Sequence, residues 1–151
     1  FNVDTEWMLN PKILTQALQG IPFSPTIDLF ASRLNKQFTQ YVSYRPDPFA
    51  LHINAFTISW AEKQFYCVPP FSCILKVLRK IISDKGRGIL VVPYWPTQSW
   101  FPMLTTMLEQ PPKILQPSKS LLVMPSNQGQ LHPLHNTLRL AICLVSGKSY
   151  K

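Results

Sequence analysis

Two places in the sequence carry residue types that suit ligand binding, and the first is the run at 65–72, Phe-Tyr-Cys-Val-Pro-Pro-Phe-Ser. An apolar run, a double proline, an aromatic residue and Ser72 as helix N-cap predict a strand, a rigid elbow and a helix. Ligands of open α/β sheets bind at the carboxyl ends of the strands, so the elbow would hold the ring of Phe71 over that crevice. The alternative is a proline-stiffened connection in which Phe71 belongs to the core.

The second place is Asp28, near the end of a strand that the apolar pattern predicts at 26–31. A buried carboxylate without a partner is costly, so Asp28 needs one. Two partners stay open at this point. Asp28 accepts hydrogen bonds from a bound cofactor, or it caps the turn at Ala31 and Ser32.

The elements that would position these residues alternate between strands and helices. Apolar spacing predicts helices at 10–19, 73–84 and 99–109, with glycines at 86 and 88 ending the second. Apolar runs predict strands at 26–31, 41–44, 65–68, 89–92, 114–115 and 121–124. Two successive units of strand, elbow and helix are typical of a parallel sheet with right-handed crossovers, so we predict an α/β fold.

The chain is long enough for one domain with a substantial core. We predict a single α/β domain over 1–125 and a C-terminal helical tail or linker over 126–151, which includes an amphipathic stretch at 134–145. The polar stretch at 32–50 has no clear periodicity and is predicted to be a long ordered loop. Such loops inside compact domains are usually functional.

The composition favours an anionic partner inside the cell. Fifteen Lys and Arg against seven Asp and Glu give a net charge of +8 and a pI near 9.6, which suits a ligand that carries phosphates. Three cysteines without a C-x-x-C pair indicate reduced, mostly buried thiols. No apolar run is long enough to span a membrane and no signal peptide is recognisable, so we expect a nuclear and cytoplasmic protein without membrane contact. Because position 1 is not Met, we expect a part of a longer polypeptide.

His132 and His135 form the pattern H-x-x-H. No cysteine lies close in the sequence, and Pro133 interrupts a local helix, so ordinary loop histidines explain the pair better than a metal site. We predict no metal.

An ordered set of residues resembles a known family. The set comprises Asp28-Leu29-Phe30-Ala31-Ser32, Asn35, Tyr41, Trp60, Val68-Pro69-Pro70-Phe71-Ser72, Gly88-Ile89-Leu90-Val91-Val92-Pro93 and Trp100-Phe101. In order and rough spacing it resembles the phage-type Dam DNA adenine-N6 methyltransferases, from about 6 to 110. Within that group it is most similar to the methyltransferase-like domain of DIRS-type retrotransposon polyproteins, which follows the reverse transcriptase and ribonuclease H and precedes a tyrosine recombinase.

The resemblance implies a fold, a cofactor and partners. The fold would be class I methyltransferase-like, with a Rossmann-like, mostly parallel sheet and helices on both faces. The cofactor would be S-adenosylmethionine, and the partners would be DNA or RNA and the neighbouring polymerase, nuclease and recombinase domains. The implied cofactor contacts are Asp28, Phe30, Ala31 and Ser32. The implied acceptor motif is Val68, Pro69, Pro70 and Phe71.

The family's acceptor motif is Asp, Asn or Ser followed by Pro-Pro and Tyr or Phe, and its chemistry explains those types. An adenine amine is a poor nucleophile, so a polar side chain and an adjacent main-chain carbonyl accept its two N–H bonds while the aromatic ring stacks on the flipped base. Here the polar position is Val68, which has no acceptor. An unpaired donor in a dry pocket costs about 1–3 kcal/mol, which corresponds to roughly a 5- to 150-fold loss of rate.

A second departure lies in the cofactor loop, where Ser32 and Arg33 replace the small residues that let a ligand approach the backbone. We therefore expect the fold to persist while methyl transfer is impaired or lost, and whether the domain is an enzyme stays open. The alternatives are a non-catalytic nucleic-acid-binding module and a structural spacer of the polyprotein. The predicted nucleic-acid contacts are Lys76, Arg79, Lys80, Tyr94 and Trp95; the alternative is that these charges are only solvated and these rings are core.

Overall fold

A computed structural model describes residues 7–127 and 129–148, and this part contains nine strands and three α-helices. The strands are β1 Met8–Leu9, β2 Ile27–Ala31, β3 Gln40–Ser43, β4 His52–Ile53, β5 Gln64–Cys67, β6 Arg87–Pro93, β7 Lys113–Leu115, β8 Leu122–Val123 and β9 Leu140–Ser146. The helices are α1 Pro11–Leu18, α2 Ile74–Asp84 and α3 Phe101–Met107, with short 3-10 turns at Ala55–Thr57 and Phe71–Cys73. None of the described helices has the length and apolar character needed to cross a membrane.

Seven of the described strands form one mixed sheet in the order β4-β3-β2-β5-β6-β9-β7. The first five pair parallel with one another, whereas β9 runs antiparallel to β6 on one side and to β7 on the other. β1 and β8 form a separate two-stranded ladder. The predicted α/β class is confirmed, and the reversed β9 makes the sheet mixed.

Apolar clusters cover both faces of this sheet. Successive residues of a strand point to opposite faces, so Leu90 and Val92 of β6 pack in one cluster and Ile89 and Val91 in the other. α2 and α3 bury their apolar sides in the first cluster, and α1 buries its own in the second. Helices therefore lie on both faces, and the strands between them read as continuous apolar runs.

Local signals account for α1 and α2. The side chain of Asn10 accepts a hydrogen bond from the N–H of Lys12 at 3.0 Å, and Pro11 occupies the first turn of α1. The apolar stripe of α2 is buried as predicted, at Ile74, Val77, Leu78 and Ile81. Both helices were predicted within one or two residues of their observed bounds.

The ends of α2 differ from the prediction. Ser72 does not cap the helix, because the 3-10 turn Phe71–Cys73 intervenes and Cys73 takes the N-cap position without a side-chain hydrogen bond. At the other end the left-handed residue is Lys85, with φ of 55°, and not Gly86. The glycine is needed for closeness instead, since a Cβ at Gly86 would press on Phe65 and Trp60.

The prediction of a helical tail or linker over 126–151 was wrong for the segment that forms β9. Residues Leu140–Ser146 form β9, and all seven are buried. Seven residue pairs join β9 to β6, so this part of the predicted tail completes the sheet. The periodicity of a short continuous apolar run does not distinguish a buried helix from a strand that is covered on both faces. Here the pairing with β6 and β7 is what makes the segment a strand. Gln128 and residues 149–151 of the predicted tail lie outside the described residues.

Gly147 fastens the end of β9 to the turn between α2 and β6. Its N–H donates to the carbonyl of Gly86 at 2.8 Å. A Cβ at this position would overlap the carbonyl oxygen of Ile81, which is backbone and cannot rotate away. Position 147 therefore needs a residue without a side chain.

Replacing Gly147 by Ala should lower the free energy of unfolding by about 1–3 kcal/mol, because the added methyl group forces α2 away from β9. Urea denaturation measures the change. Gly129→Ala is the matched control, since a Cβ there would meet only a side-chain oxygen of Asn127 at 3.9 Å. Equal stability of the two variants would contradict the close approach.

Candidate functional site

The candidate site lies where two neighbouring strands end. β2 and β5 are parallel, with Ile27 opposite Phe65 and Asp28 opposite Tyr66. From β2 the chain continues to β3 on one side, and from β5 it continues to β6 on the other. Connections that leave in opposite directions open a crevice at the carboxyl ends of the strands. A cavity of about 840 Å³ occupies this place, which is within the range of small-molecule sites.

The cavity gathers most of the residues that the sequence singled out for a ligand. Its lining includes the four predicted cofactor contacts and two residues of the acceptor motif, namely Asp28, Phe30, Ala31, Ser32, Val68 and Pro70. Pro69 is buried in the elbow and Phe71 is half-buried, and neither belongs to the lining. The cofactor set is thus brought together whole, and the acceptor motif in part.

Phe71 lies against other aromatic rings. Its ring meets Trp95 edge to face, with the centroids 5.2 Å apart, and it packs against both apolar clusters. Tyr94 meets Phe101 in the same way at 5.8 Å. These contacts agree with the alternative interpretation, in which Phe71 belongs to the core. Tyr94 and Trp95, which were predicted to contact nucleic acid, take part in these ring contacts. In this arrangement the ring of Phe71 is not part of the cavity lining.

Asp28 holds the loop that follows β2. Its side chain is only 2% exposed, and its two oxygens accept hydrogen bonds from the N–H of Gln37 at 3.1 Å and of Phe30 at 3.4 Å. The turn at Ser32 is capped by a different residue, since the side-chain oxygen of Asn35 accepts the Ser32 N–H at 2.7 Å. Asp28 therefore does not cap that turn; it fixes a longer loop and at the same time forms part of the cavity wall.

Burial gives Asp28 unusual acid–base behaviour. Loss of hydration raises the pKa of its carboxyl group from 3.8 to about 7, although the hydrogen bonds from the backbone of Gln37 and Phe30 lower it. The ionised and neutral forms are thus both populated near neutral pH. A positively charged group placed beside Asp28 would favour the ionised form.

Two further residues of the cavity lining each carry a buried polar atom. They are Tyr66 and Trp7, which are 1% and 5% exposed. Among the described residues, neither the Tyr66 hydroxyl nor the Trp7 indole nitrogen has a hydrogen-bond partner. Buried unsatisfied groups are rare and cost about 1–3 kcal/mol each, so Tyr66 and Trp7 join the candidate residues of this site.

Sequence reasoning missed both of these residues. Tyr66 stands two positions before Val68, and strand alternation puts both side chains on one face, so the pattern contained a signal for it. Trp7 had none. It reaches the cavity only because β1 pairs with β8, more than a hundred residues away in the chain.

The predicted basic contacts on α2 lie elsewhere, since Lys76, Arg79 and Lys80 are not part of the cavity lining. The ammonium group of Lys76 lies 4.1 Å from the centre of the Phe56 ring. That of Lys80 lies 3.0 Å from a carboxylate oxygen of Asp84. Two of the three cations therefore have contacts within the protein, and Arg79 is exposed.

Two of the cysteines and His132 are buried. Burial raises the pKa of the Cys67 thiol well above its usual value and that of Cys143 to about 12, so both stay protonated. The ring of His132 packs against Trp7, and its Nδ1 accepts the N–H of Leu134 at 3.0 Å. Within residues 7–127 and 129–148 no three His, Cys, Asp or Glu side chains are grouped to hold a metal ion.

The stability of the protein should depend on pH through Asp28. Its pKa is higher in the folded state than in the unfolded state, so the folded protein holds the extra proton between about pH 4 and 7 and loses stability as pH rises through that window. Asp28→Asn removes this term. From pH 5 to pH 8, the unfolding free energy of D28N relative to the wild type should move by about 3 kcal/mol in favour of the variant.

Denaturant unfolding of both proteins at several pH values gives this difference, and all other titrating groups cancel in it. Curves that stay parallel from pH 5 to pH 8 would show that Asp28 is ionised with an ordinary pKa in the folded protein.

Comparison with known proteins adds no family to this geometry. No protein-family model matches the chain, and no curated protein matches it. The interpretation of the cavity therefore depends on its position between β2 and β5, its size and its polar groups.

Proposed function

We propose that the chain is a methyltransferase-like domain that binds S-adenosylmethionine in the cavity between β2 and β5, and that transfers methyl groups to adenine-N6 of DNA slowly or not at all. The observation that carries the proposal is one cavity, large enough for a nucleoside, whose wall contains Asp28, Phe30, Ala31 and Ser32. These are the residues at which the Dam resemblance implies cofactor contacts. The same resemblance implies that the domain neighbours the reverse transcriptase, ribonuclease H and recombinase domains of a retrotransposon polyprotein.

The strand order supports a nucleotide-type ligand. Numbered among themselves along the chain, the five parallel strands lie in the order 3-2-1-4-5, which is the order that begins the doubly wound nucleotide-binding sheets. In those sheets the ligand lies where strands 1 and 4 meet, and here these are β2 and β5. Class I methyltransferases, to which the resemblance points, also have a last strand that runs antiparallel to its neighbours, as β9 does.

The chemistry of the wall suits S-adenosylmethionine, which combines a flat base, a ribose and a positively charged sulfonium and amine. The rings of Phe30 and Phe56 offer apolar surface, and Asp28 offers a carboxylate that a cation would keep ionised. Tyr66 and Trp7 line the cavity, and each carries a buried polar atom that has no partner among the described residues. A ligand that satisfied them would remove a folding cost as it bound.

Methyl transfer is the weaker half of the function. Val68 lines the cavity at the position where the family pattern has a polar acceptor, and it presents only methyl groups. Phe71 lies against Trp95, so stacking on a flipped base would require its ring to leave that contact. A main-chain carbonyl oxygen of the elbow is then the acceptor that remains for the target amine. Both features favour cofactor binding with little turnover.

Calorimetric titration of S-adenosylmethionine should show saturable binding with one site, and Tyr66→Phe should weaken it by about 2- to 12-fold if the hydroxyl bonds the ligand. The same variant should be as stable as the wild type or more stable, because it removes a buried hydroxyl that has no partner among the described residues. Weaker binding together with undiminished stability would be the sign of a binding group.

Tyr41→Phe is the matched control. The Tyr41 hydroxyl donates to Asp47 at 2.8 Å and Tyr41 is not part of the cavity lining, so its loss should reduce stability and leave binding unchanged. Absence of any heat of binding from the wild type at millimolar cofactor would refute the proposal. An unchanged affinity of Tyr66→Phe would remove Tyr66 from the site but leave the cavity in place.

Val68→Asn should increase transfer of labelled methyl groups from S-adenosylmethionine to an adenine-containing oligonucleotide by roughly 5- to 150-fold, because it returns an acceptor to the amine. Val68→Ala supplies no acceptor and should give no increase. Equal rates from both variants, with cofactor binding intact, would show that the missing acceptor does not limit the reaction and would favour a non-catalytic module.

A further inference from the structure

Exposed apolar side chains concentrate at one edge of the sheet. Seven large hydrophobic residues of the described chain are exposed, and five of them belong to the loops and strands at 34–53. These five are Leu34, Tyr44, Phe49, Leu51 and Ile53, with Tyr44 and Phe49 the most exposed rings at 71% and 68%. We call residues 33–53 the edge surface, after β4, the outermost strand. Rings this exposed contribute little to the core and are typical of contact surfaces.

The edge surface is basic. It carries Arg33, Lys36 and Arg45, and the guanidinium of Arg33 lies 5.1 Å from the centre of the Phe49 ring. Its one carboxylate, Asp47, accepts hydrogen bonds from Phe49 N–H at 2.9 Å and from the Tyr41 hydroxyl at 2.8 Å. Asp47 thus serves to hold the loop, and the charge offered to a partner is positive.

The edge surface continues into the cavity. Leu34, Ser43, Tyr44 and Arg45 belong to it and also line the cavity beside Asp28. A chain lying across the surface would therefore reach the cavity mouth without a gap. Since β3 ends at Ser43, this junction is formed by the carboxyl end of the strand next to β2.

We infer that the edge surface binds single-stranded nucleic acid, with bases stacked on Tyr44 and Phe49 and with phosphates held by Arg33 and Arg45. Exposed rings set among cations are the features by which proteins bind unpaired strands, because every base offers a flat face and every linkage a negative charge. A duplex hides its bases and could use only the cations. The polymer is DNA or RNA, and its strand would lead a base towards the cavity.

The other occupants fit less well. Adding a strand from a second copy to the sheet edge would use β4, which has only two residues, and short edge strands discourage such pairing. On α2, where sequence reasoning placed the basic nucleic-acid contacts, Lys76 lies over Phe56 and Lys80 lies near Trp60 and Asp84, whereas Arg79 is exposed. The rings of Tyr44 and Phe49 are exposed, whereas Phe56 is half-buried and Trp60 is buried. Arg33 covers part of the Phe49 ring as Lys76 covers part of the Phe56 ring, so exposure is what distinguishes the two regions.

The test is fluorescence anisotropy with labelled twenty-nucleotide single strands of dT and of U, and with a duplex of the same length, without cofactor. The protein should bind the single strands more tightly than the duplex. Tyr44→Ala and Phe49→Ala should each weaken single-strand binding by about 5- to 150-fold, and Tyr44→Phe, which keeps the ring, should bind as the wild type does. Preference between dT and U decides which polymer is the ligand.

A matched pair of double variants separates the two basic regions. Arg33→Gln with Arg45→Gln and Lys76→Gln with Arg79→Gln each remove two charges. The first should lower the slope of log affinity against log salt by about 1.4 and the second should leave it unchanged. Thermal midpoints equal to that of the wild type show that a variant is folded. Loss confined to the α2 variant, or equal loss in both, would overturn the inference.

Two other results would also overturn it. One is failure of the wild type to bind any single strand at 50 mM salt. The other is self-association, seen in sedimentation, that Tyr44→Ala or Phe49→Ala abolishes while strand binding stays unchanged. Because these measurements contain no S-adenosylmethionine, failure of the proposed cofactor and failure of the edge surface are seen separately.

Discussion

The parallel pairing of β2 with β5 is the constraint on which the rest of the site depends. It joins segments that are more than thirty residues apart in the chain, and it sets Asp28 beside Tyr66. Because the chain leaves these two strands in opposite directions, no crossover covers the space above their ends. The cavity is thus a result of topology, and the ends of those strands supply part of its lining. Sliding β2 by one residue along β5 would turn Asp28 to the face opposite that of Tyr66.

A site formed in this way is costly to fold. It keeps a carboxyl group almost fully buried and leaves two polar atoms without partners among the described residues. Each such group costs about 1–3 kcal/mol, against a total stability of about 5–15 kcal/mol for a typical domain. The apolar clusters on the two faces of the sheet offset this cost.

Much of this architecture could be predicted from the sequence. The failed predictions discussed here have one cause, which is that they depend on contacts between distant parts of the chain. α1, β2, β5, α2 and β6 each carry a local signal, in a cap, a proline or an apolar stripe, and all were found. β9 was predicted to be a helix because its apolar run has no local mark of a strand, and the vacancy it fills exists only in the assembled sheet. Trp7 was missed for the same reason, since β8 brings it to the cavity. The sequence did not decide whether the ring of Phe71 lies over the crevice or in the core, because its neighbour Trp95 comes from the next strand–helix unit.

The late position of β9 has a consequence for how the protein is made. While a ribosome is still producing residues before 140, β6 and β7 have no strand between them, and β6 presents a seven-residue apolar margin on that side. Such a margin is a template for pairing with other nascent chains. The sheet closes only when residues 140–146 have emerged and thread antiparallel into the gap. Folding of the sheet therefore depends on residues 140–146, and a product that ends before residue 140 would leave this side of β6 unpaired.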